Sequence, residues 1–197
     1  MTARFADILG LLEHRESVLG SLLVGGGIVL WLAPFLVAQR GSGSLAAVDR
    51  RARWGLLLEV VAIALMLQSP FWTATVLTWR TAASAACFLL AALLSLTATR
   101  ALGRQLRFDA AIGSQHELVR EGPYRVMRHP IYCSMLSLLW GIGFVAAPLW
   151  LFVVATIVFL VGTEIRVRIE DRLLAERFGE MFAGYRSSTR AYLPLIR

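Results

Sequence analysis

The sequence predicts an all-α, polytopic integral membrane protein with five transmembrane helices, the last two forming a helical hairpin. Three observations carry that expectation. The 197 residues are 57% apolar and only 17% charged, with a mean hydropathy of +0.65, whereas soluble domains average about 45–50% apolar and about 25% charged. Long windows carry no charge at all. The basic residues are 20 arginines and no lysine against 13 acids, net +7, and they gather between those windows. This composition excludes a disordered, fibrous or small secreted chain. A basic excess also raises nucleic-acid binding, but the apolar content puts membrane topology first, and no nucleic-acid partner is expected. Cys87 and Cys133 make neither a disulfide framework nor a metal-ligand cluster, so no metal site is expected.

Taken in order, residues 17–38 hold no charged residue over 22 positions, where about 20 suffice to cross a hydrocarbon core. This apolar run exceeds the core of a cleaved signal peptide, and Glu13 and Glu16 stand where such a peptide is basic, so cleavage is not expected. Residues 54–79 carry one charge, Glu59, and Pro70 with Phe71 and Trp72 ends that helix near Ser69. An acid inside a span is costly and a functional candidate. Glu59 is close in sequence to Arg53, however, and snorkelling to the near surface accounts for it as a structural residue. Residues 81–99 are uncharged and rich in Ala and Leu.

Residues 130–163 are 34 uncharged positions, interrupted by Gly141-Ile142-Gly143 and Ala146-Ala147-Pro148. A single helix of that length would be about 51 Å long against a core of about 30 Å. Two short spans turning near Ala147-Pro148 fit instead. Arginines on both sides, from Arg100 to Arg128 and from Arg166 to Arg197, place both flanks in the cytoplasm. The same rule puts 17 of the 20 arginines on one side, with the N-terminus outside and the C-terminus inside. The chain then divides into an N-terminal membrane region, 1–100, with three helices, and a C-terminal region, 101–197. The latter holds a cytoplasmic segment, the hairpin and cytoplasmic C-terminal helices.

Two cytoplasmic stretches carry the chemistry. Residues 115–132 pack His116, Glu117, Tyr124, Arg128, His129 and Tyr132 around a Gly122-Pro123 turn and a Pro130 helix start. Interfacial anchoring also explains such a composition. In the second stretch the last helix runs beyond the membrane to Phe178, with Gly179 as its cap. Arg166 and Glu170 share a face there, and an exposed ion pair is the plain alternative. A hairpin brings the two stretches together, so that His129, Tyr132, Arg166 and Glu170 line one pocket at the membrane surface. Arg and His suit a carboxylate, Glu suits an ammonium or hydroxyl, and aromatic rings suit a flat base or a sulfonium. Arg128 and Arg166 read as pocket residues, the other arginines chiefly as topology.

The pattern His116-x-Leu118-Val119-x-x-Gly122-Pro123-Tyr124-x-x-x-Arg128-His129-Pro130-x-Tyr132 resembles the signature of the isoprenylcysteine carboxyl methyltransferase family. So does Arg166-x-x-x-Glu170-Asp171-x-x-Leu174-x-x-x-Phe178-Gly179, followed by Tyr185 and Pro194. The resemblance runs from Asp109 to the end of the chain and lies within the wider phospholipid methyltransferase-like membrane enzymes, whose glycine pair Gly141-x-Gly143 resembles. Small residues in membrane helices also serve packing.

The resemblance implies an integral membrane methyltransferase that uses S-adenosyl-L-methionine in a cytoplasmic pocket. By motif position, His116, Glu117, Leu118, Val119, Tyr124, His129, Pro130, Ile131 and Tyr132 would contact the cofactor, with Glu170 closing the site. Arg166 would hold the methyl acceptor, and Arg166 and Glu170 are the candidate catalytic pair. Asp171 stands where the family has the second Glu of a pair, and Asp109 where a neutral cofactor contact is expected. The implied reaction is carboxyl O-methylation of an isoprenylcysteine-like or other lipophilic acceptor, lipid-anchored or small, among membrane lipids. Alternatives are a phospholipid amine, a thiol or a phenolic lipid as acceptor, and a sterol-reductase-like enzyme using NADPH. The implied location is a bacterial or archaeal inner membrane.

Overall fold

Proline and glycine mark several of the element ends. The computed structural model describes residues 2–38, 45–68, 78–106, 111–113 and 117–192. Its helices are α1 (Thr2–Val37), α2 (Ala52–Met66), α3 (Thr78–Leu102), α4 (Pro130–Ala146), α5 (Leu149–Phe178) and α6 (Glu180–Ser188). Short 3-10 turns occupy Gly103–Gln105 and Gly122–Arg125. Pro130 opens α4 and Pro148 precedes α5, at positions where a helix needs no N–H from them. Gly179 (φ 49°) ends α5, at a positive φ that a side chain would strain.

Helices occupy the expected windows, with shifted boundaries. α1 begins well before the uncharged window, and the expected turn between α4 and α5 falls at Ala147 and Pro148, both in extended conformation. An all-α reading lacks one feature. β1 (Leu45–Val48) pairs antiparallel with β2 (Ala111–Gly113), register Val48↔Ala111 and Leu45↔Gly113. Neither run is long enough to show an alternation in sequence, and their pairing is long-range. Pro70, Phe71, Trp72, Asp109, His116 and Pro194 lie outside the described residues.

The packing is that of small residues turned inward and large apolar ones outward. Ala62, Ser84, Ala91, Ser95 and Ala155 are fully buried, whereas Leu22, Leu36, Trp54, Leu89 and Ile157 are exposed. Close approach through small residues is how helices associate in lipid, where burying a leucine gains little. The shared core includes Val24, Phe88, Leu139, Ile142 and Phe159. The Phe88 ring fills a notch at Gly27 and Gly141, where a Cβ would come within 2.4 and 2.7 Å of it. Gly143 faces Phe152 and Met66 in the same way, so the glycine pair of α4 serves packing here.

Among the described residues three helical stretches are long and apolar enough to cross a membrane, Val18–Val37, Trp79–Gln105 and Leu149–Phe178. α2 and α4, with 15 and 17 residues, are about 22 and 26 Å long. α3 packs mainly on α4, and α2 on α5. Contacts fix which ends meet. Trp31 of α1 donates to Ser134 near the start of α4 (3.0 Å), while Gly20 lies against Val145 near its end. Arg80, at the start of α3, donates to the Ala147 carbonyl beyond the end of α4 (2.6 Å). Ala52 packs with Ile169 and Gly122 lies against Ala101. The start of α2, the end of α3, the start of α4 and the distal half of α5 therefore gather at one end.

Candidate functional site at the start of α4

Gly122 (φ 57°) turns the chain into Pro123 and Tyr124, whose carbonyl accepts a hydrogen bond from the Tyr185 hydroxyl (2.6 Å). The backbone before Pro130 then runs beside the segment after α6. Arg128 N–H donates to the Arg190 carbonyl at 2.8 Å and His129 N–H to that of Ala191 at 3.0 Å. Met127 and Arg190 form a parallel bridge. These bonds satisfy main-chain groups that a helix start otherwise leaves open, and they fix His129 at the N-cap of α4.

Opposite lies the polar turn of α5. The His129 ring contacts both of its acids, Nε2 with Asp171 Oδ1 at 3.0 Å and Nδ1 with Glu170 Oε2 at 3.5 Å. Tyr132 Oη donates to Glu170 Oε1. The Arg166 guanidinium sits 5.1 Å from the Tyr132 ring centroid, within cation–π range. It also forms an ion pair with Glu59 Oε2 at 2.9 Å, and Thr163 Oγ1 donates to Glu59 Oε1 at 3.0 Å. Arg128 pairs with Asp171 at 3.1 Å and donates to the carbonyls of Thr189 and Arg186. The Glu170 side chain is 27% exposed and that of His129 only 5%, so Glu170 is the member of this acid–imidazole group that reaches solvent.

Burial alone would lower the His129 pKa. The hydrogen bonds to Asp171 and Glu170 and the charge of both carboxylates outweigh it, so the net shift is upward. Burial first, then the charges of Glu170 and Tyr185, raise the Tyr124 hydroxyl well above its ordinary range. The Tyr185 hydroxyl is pushed up to about 12, again chiefly by burial. Both tyrosines therefore keep their protons at neutral pH, and His129 holds its proton more firmly than a free imidazole.

His129, Tyr132, Arg166 and Glu170 are thus brought together, with Pro130 and Ile131 in the first turn of α4 between them. Glu117, Leu118 and Val119 lie in chain without regular secondary structure before the Gly122 turn, Glu117 exposed and the other two half-buried. Tyr124 is buried. His116 is not among the described residues.

Two sequence readings change. Glu59 does not snorkel: it is fully buried and its charge is met by Arg166 inside the helix pair, because α2 turns this face toward α5 rather than toward the surface. Arg128 is occupied within the protein, tying Asp171 to the C-terminal segment, and its Nε is a buried donor with no partner among the described residues. Sequence reasoning placed Asp171 in the motif but gave it no role; it joins Arg128 to His129. Its direct succession to Glu170 was the signal: adjacent helical acids point about 100° apart, so they serve different neighbours.

Among the described residues an apolar groove of about 620 Å³ lies between α1 and α3, with Arg100 and Arg104 at one end; none of the clustered residues lines it. Among the described residues no group of three or more His, Cys, Asp or Glu is placed to hold a metal ion.

The model of a family described as phospholipid methyltransferase matches residues 79–181, a stretch that contains both halves of the cluster. The cobalt-zinc-cadmium resistance protein CzcN of Cupriavidus metallidurans is 40% identical over 80 residues, 40% of this chain and 36% of that protein. The nickel-cobalt-cadmium resistance protein NccN of Alcaligenes xylosoxydans xylosoxydans is 28% identical over 166 residues, 84% of this chain and 74% of that protein. Protein-S-isoprenylcysteine O-methyltransferase B of Arabidopsis thaliana is 30% identical over 84 residues, 41% of each chain. The matched stretch therefore spans well under two thirds of the first and third of these relatives.

Proposed function

Because the chain belongs to the phospholipid methyltransferase family, on a match over residues 79–181, we propose that it is an S-adenosylmethionine-dependent membrane methyltransferase acting on a lipophilic acceptor. The acceptor we favour is a carboxylate, as in an isoprenylcysteine. The observation that carries this reading is the joining of Tyr132 and His129 to Glu170, beneath Arg166, from two helices whose contributing turns are far apart in sequence.

The donor set fits the cofactor. A partly exposed carboxylate, Glu170, stands beside three rings, with His129 5.9 Å from Tyr132 and 6.5 Å from Tyr192 between centroids. A sulfonium or ammonium cation is attracted to such a combination and a flat base can stack on it. His116, Glu117, Leu118, Val119, Tyr124, His129, Pro130, Ile131, Tyr132 and Glu170 would hold the cofactor. When bound it supplies an electrophilic methyl group, and an acceptor carboxylate needs no general base to receive it.

The protein's work is then alignment and exclusion of water. Arg166 orients the acceptor carboxylate through charge-assisted hydrogen bonds. Tyr132 lies under that guanidinium and donates to Glu170, so acceptor and cofactor sides share one rigid contact. A phospholipid amine is the second reading, favoured by the family's description and by Glu170, whose carboxylate suits an ammonium.

In this reading α2 and α4 also cross the bilayer, making five spans with α4 and α5 as a hairpin in a bacterial or archaeal inner membrane. Support comes from the helix ends that gather beside His129, which are also the ends flanked by arginine-rich sequence. The site then faces the cytoplasm. The test is ligand binding in detergent. S-adenosylhomocysteine is expected to raise the melting temperature while NADPH does not, and the reverse would favour a reductase. Radiolabelled methyl transfer to prenylcysteine analogues and to membrane lipid extracts then separates a carboxylate acceptor from an amine.

A further inference from the structure

α2 lies outside both sequence blocks that mark the site, yet it reaches Arg166 at two points. Glu59, the only acid in α2, is fully buried and holds Arg166 Nη1 at 2.9 Å. Its other oxygen accepts from Thr163 at 3.0 Å, so the carboxylate is itself fixed by α5. One helical turn before Glu59 comes Gly55, and one turn before Arg166 comes Gly162. These two glycines are where α2 and α5 cross. A Cβ on Gly162 would come within 2.6 Å of the Gly55 carbonyl oxygen, and a Cβ on Gly55 within 2.5 Å of Arg166 Cγ. The stem of Arg166 therefore lies in the gap that Gly55 leaves, while its head is tied to Glu59.

We propose that Glu59 is a positioning residue for Arg166, with Gly55 giving room for the arginine stem, so that α2 sets the angle at which the acceptor-binding guanidinium stands over Tyr132. The proposal rests on the methyltransferase reading for what Arg166 binds, but not for how Arg166 is held. A guanidinium clamped by a carboxylate on one edge keeps its plane fixed, so that a carboxylate it holds is presented at one angle to the methyl donor. The pair is also neutral as a unit, which lowers the cost of its burial. Glu59 acts on the acceptor only through Arg166.

The experiment uses the full chain in detergent with 15N-labelled arginine. The Arg166 signals are assigned by their loss in Arg166→Lys. In the unaltered protein hindered rotation should leave the Arg166 Nη signals resolved. In Glu59→Gln they should average, with S-adenosylhomocysteine affinity within threefold of the original, which also reports that the variant is folded. Glu59→Asp, which keeps the charge, should be intermediate. With S-farnesyl-N-acetylcysteine as probe, Glu59→Gln should lower kcat tenfold or more and leave KM within threefold. Unaltered Arg166 signals in Glu59→Gln, or an unaltered kcat, would overturn the proposal. Averaged signals together with no methyl transfer to this probe by the unaltered protein would uphold the positioning and overturn the carboxylate-acceptor reading.

Discussion

An imidazole held between two carboxylates keeps its proton longer than a free one. His129 is so held, by Asp171 at 3.0 Å and Glu170 at 3.5 Å, and its pKa is raised against the opposing effect of burial. With a folded-state pKa above the ordinary value of about 6.5, the stability from protonated His129 is fully present below that value. It is lost as pH rises through the raised pKa. The melting temperature in detergent should therefore fall across that window, and fall less in Asp171→Asn, which lacks one of the two anions. Equal falls would place the titration on another group. Arg166 allows a second expectation: Arg166→Ala should lower turnover at least tenfold while the affinity for S-adenosylhomocysteine, read by calorimetry, stays within threefold. Equal loss of both would merge the acceptor and cofactor roles assigned to different residues. The grouping of His129, Tyr132, Arg166 and Glu170 was legible from the sequence because a short turn at Ala147-Pro148 forces it. The Glu59 partner of Arg166 and the Thr189 carbonyl that Arg128 meets were not, since both come from segments outside the two motif blocks.

Helix lengths were legible in the same uneven way. Uncharged windows located the central turns of α1, α3, α4 and α5, but gave no warning that α1 starts at Thr2 or that α2 stops at Met66. A helix continues past the last apolar residue wherever the backbone is satisfied, and hydropathy does not register that. Which glycines matter was equally hidden, because small residues read alike in sequence. The structure separates them. Gly162→Ala would put a methyl within 2.6 Å of the Gly55 carbonyl oxygen and 2.9 Å of Leu58 Cβ. Overpacking of this kind costs about 1–3 kcal/mol, and the helix pair that holds Glu59 against Arg166 must open to relieve it. Gly26→Ala in α1 meets nothing within 4 Å and should be neutral or slightly stabilising. Thermal unfolding of the two variants in one detergent makes the comparison, and similar losses would remove the crossing from the account.

At the scale of the whole molecule, the net charge of +7 is a matter of placement. Arg53 at the start of α2, Arg100 at the end of α3, Arg128 before α4 and Arg172 late in α5 belong to ends that meet around the candidate site. Arg80 stands at the other end, bonded to the Ala147 carbonyl. A bilayer holding five spans would then have the Ala147-Pro148 turn outside and α6 inside. That is checked with single cysteines in a background lacking Cys87 and Cys133, neither of which is in a disulfide. Leu149 is 79% exposed at the first position of α5, and Ser187 is exposed on α6. In right-side-out vesicles a membrane-impermeant maleimide should label Leu149→Cys at once and Ser187→Cys only after the membrane is permeabilised. Two alternatives give different patterns. If α4 and α5 together crossed only once, both sites would no longer lie on the sides stated and Ser187→Cys would label in intact vesicles. If the whole bundle were inverted, Ser187→Cys would label first and Leu149→Cys would wait for permeabilisation. Only the first pattern lets a cytoplasmic cofactor reach Glu170, the exposed member of its acid–imidazole group.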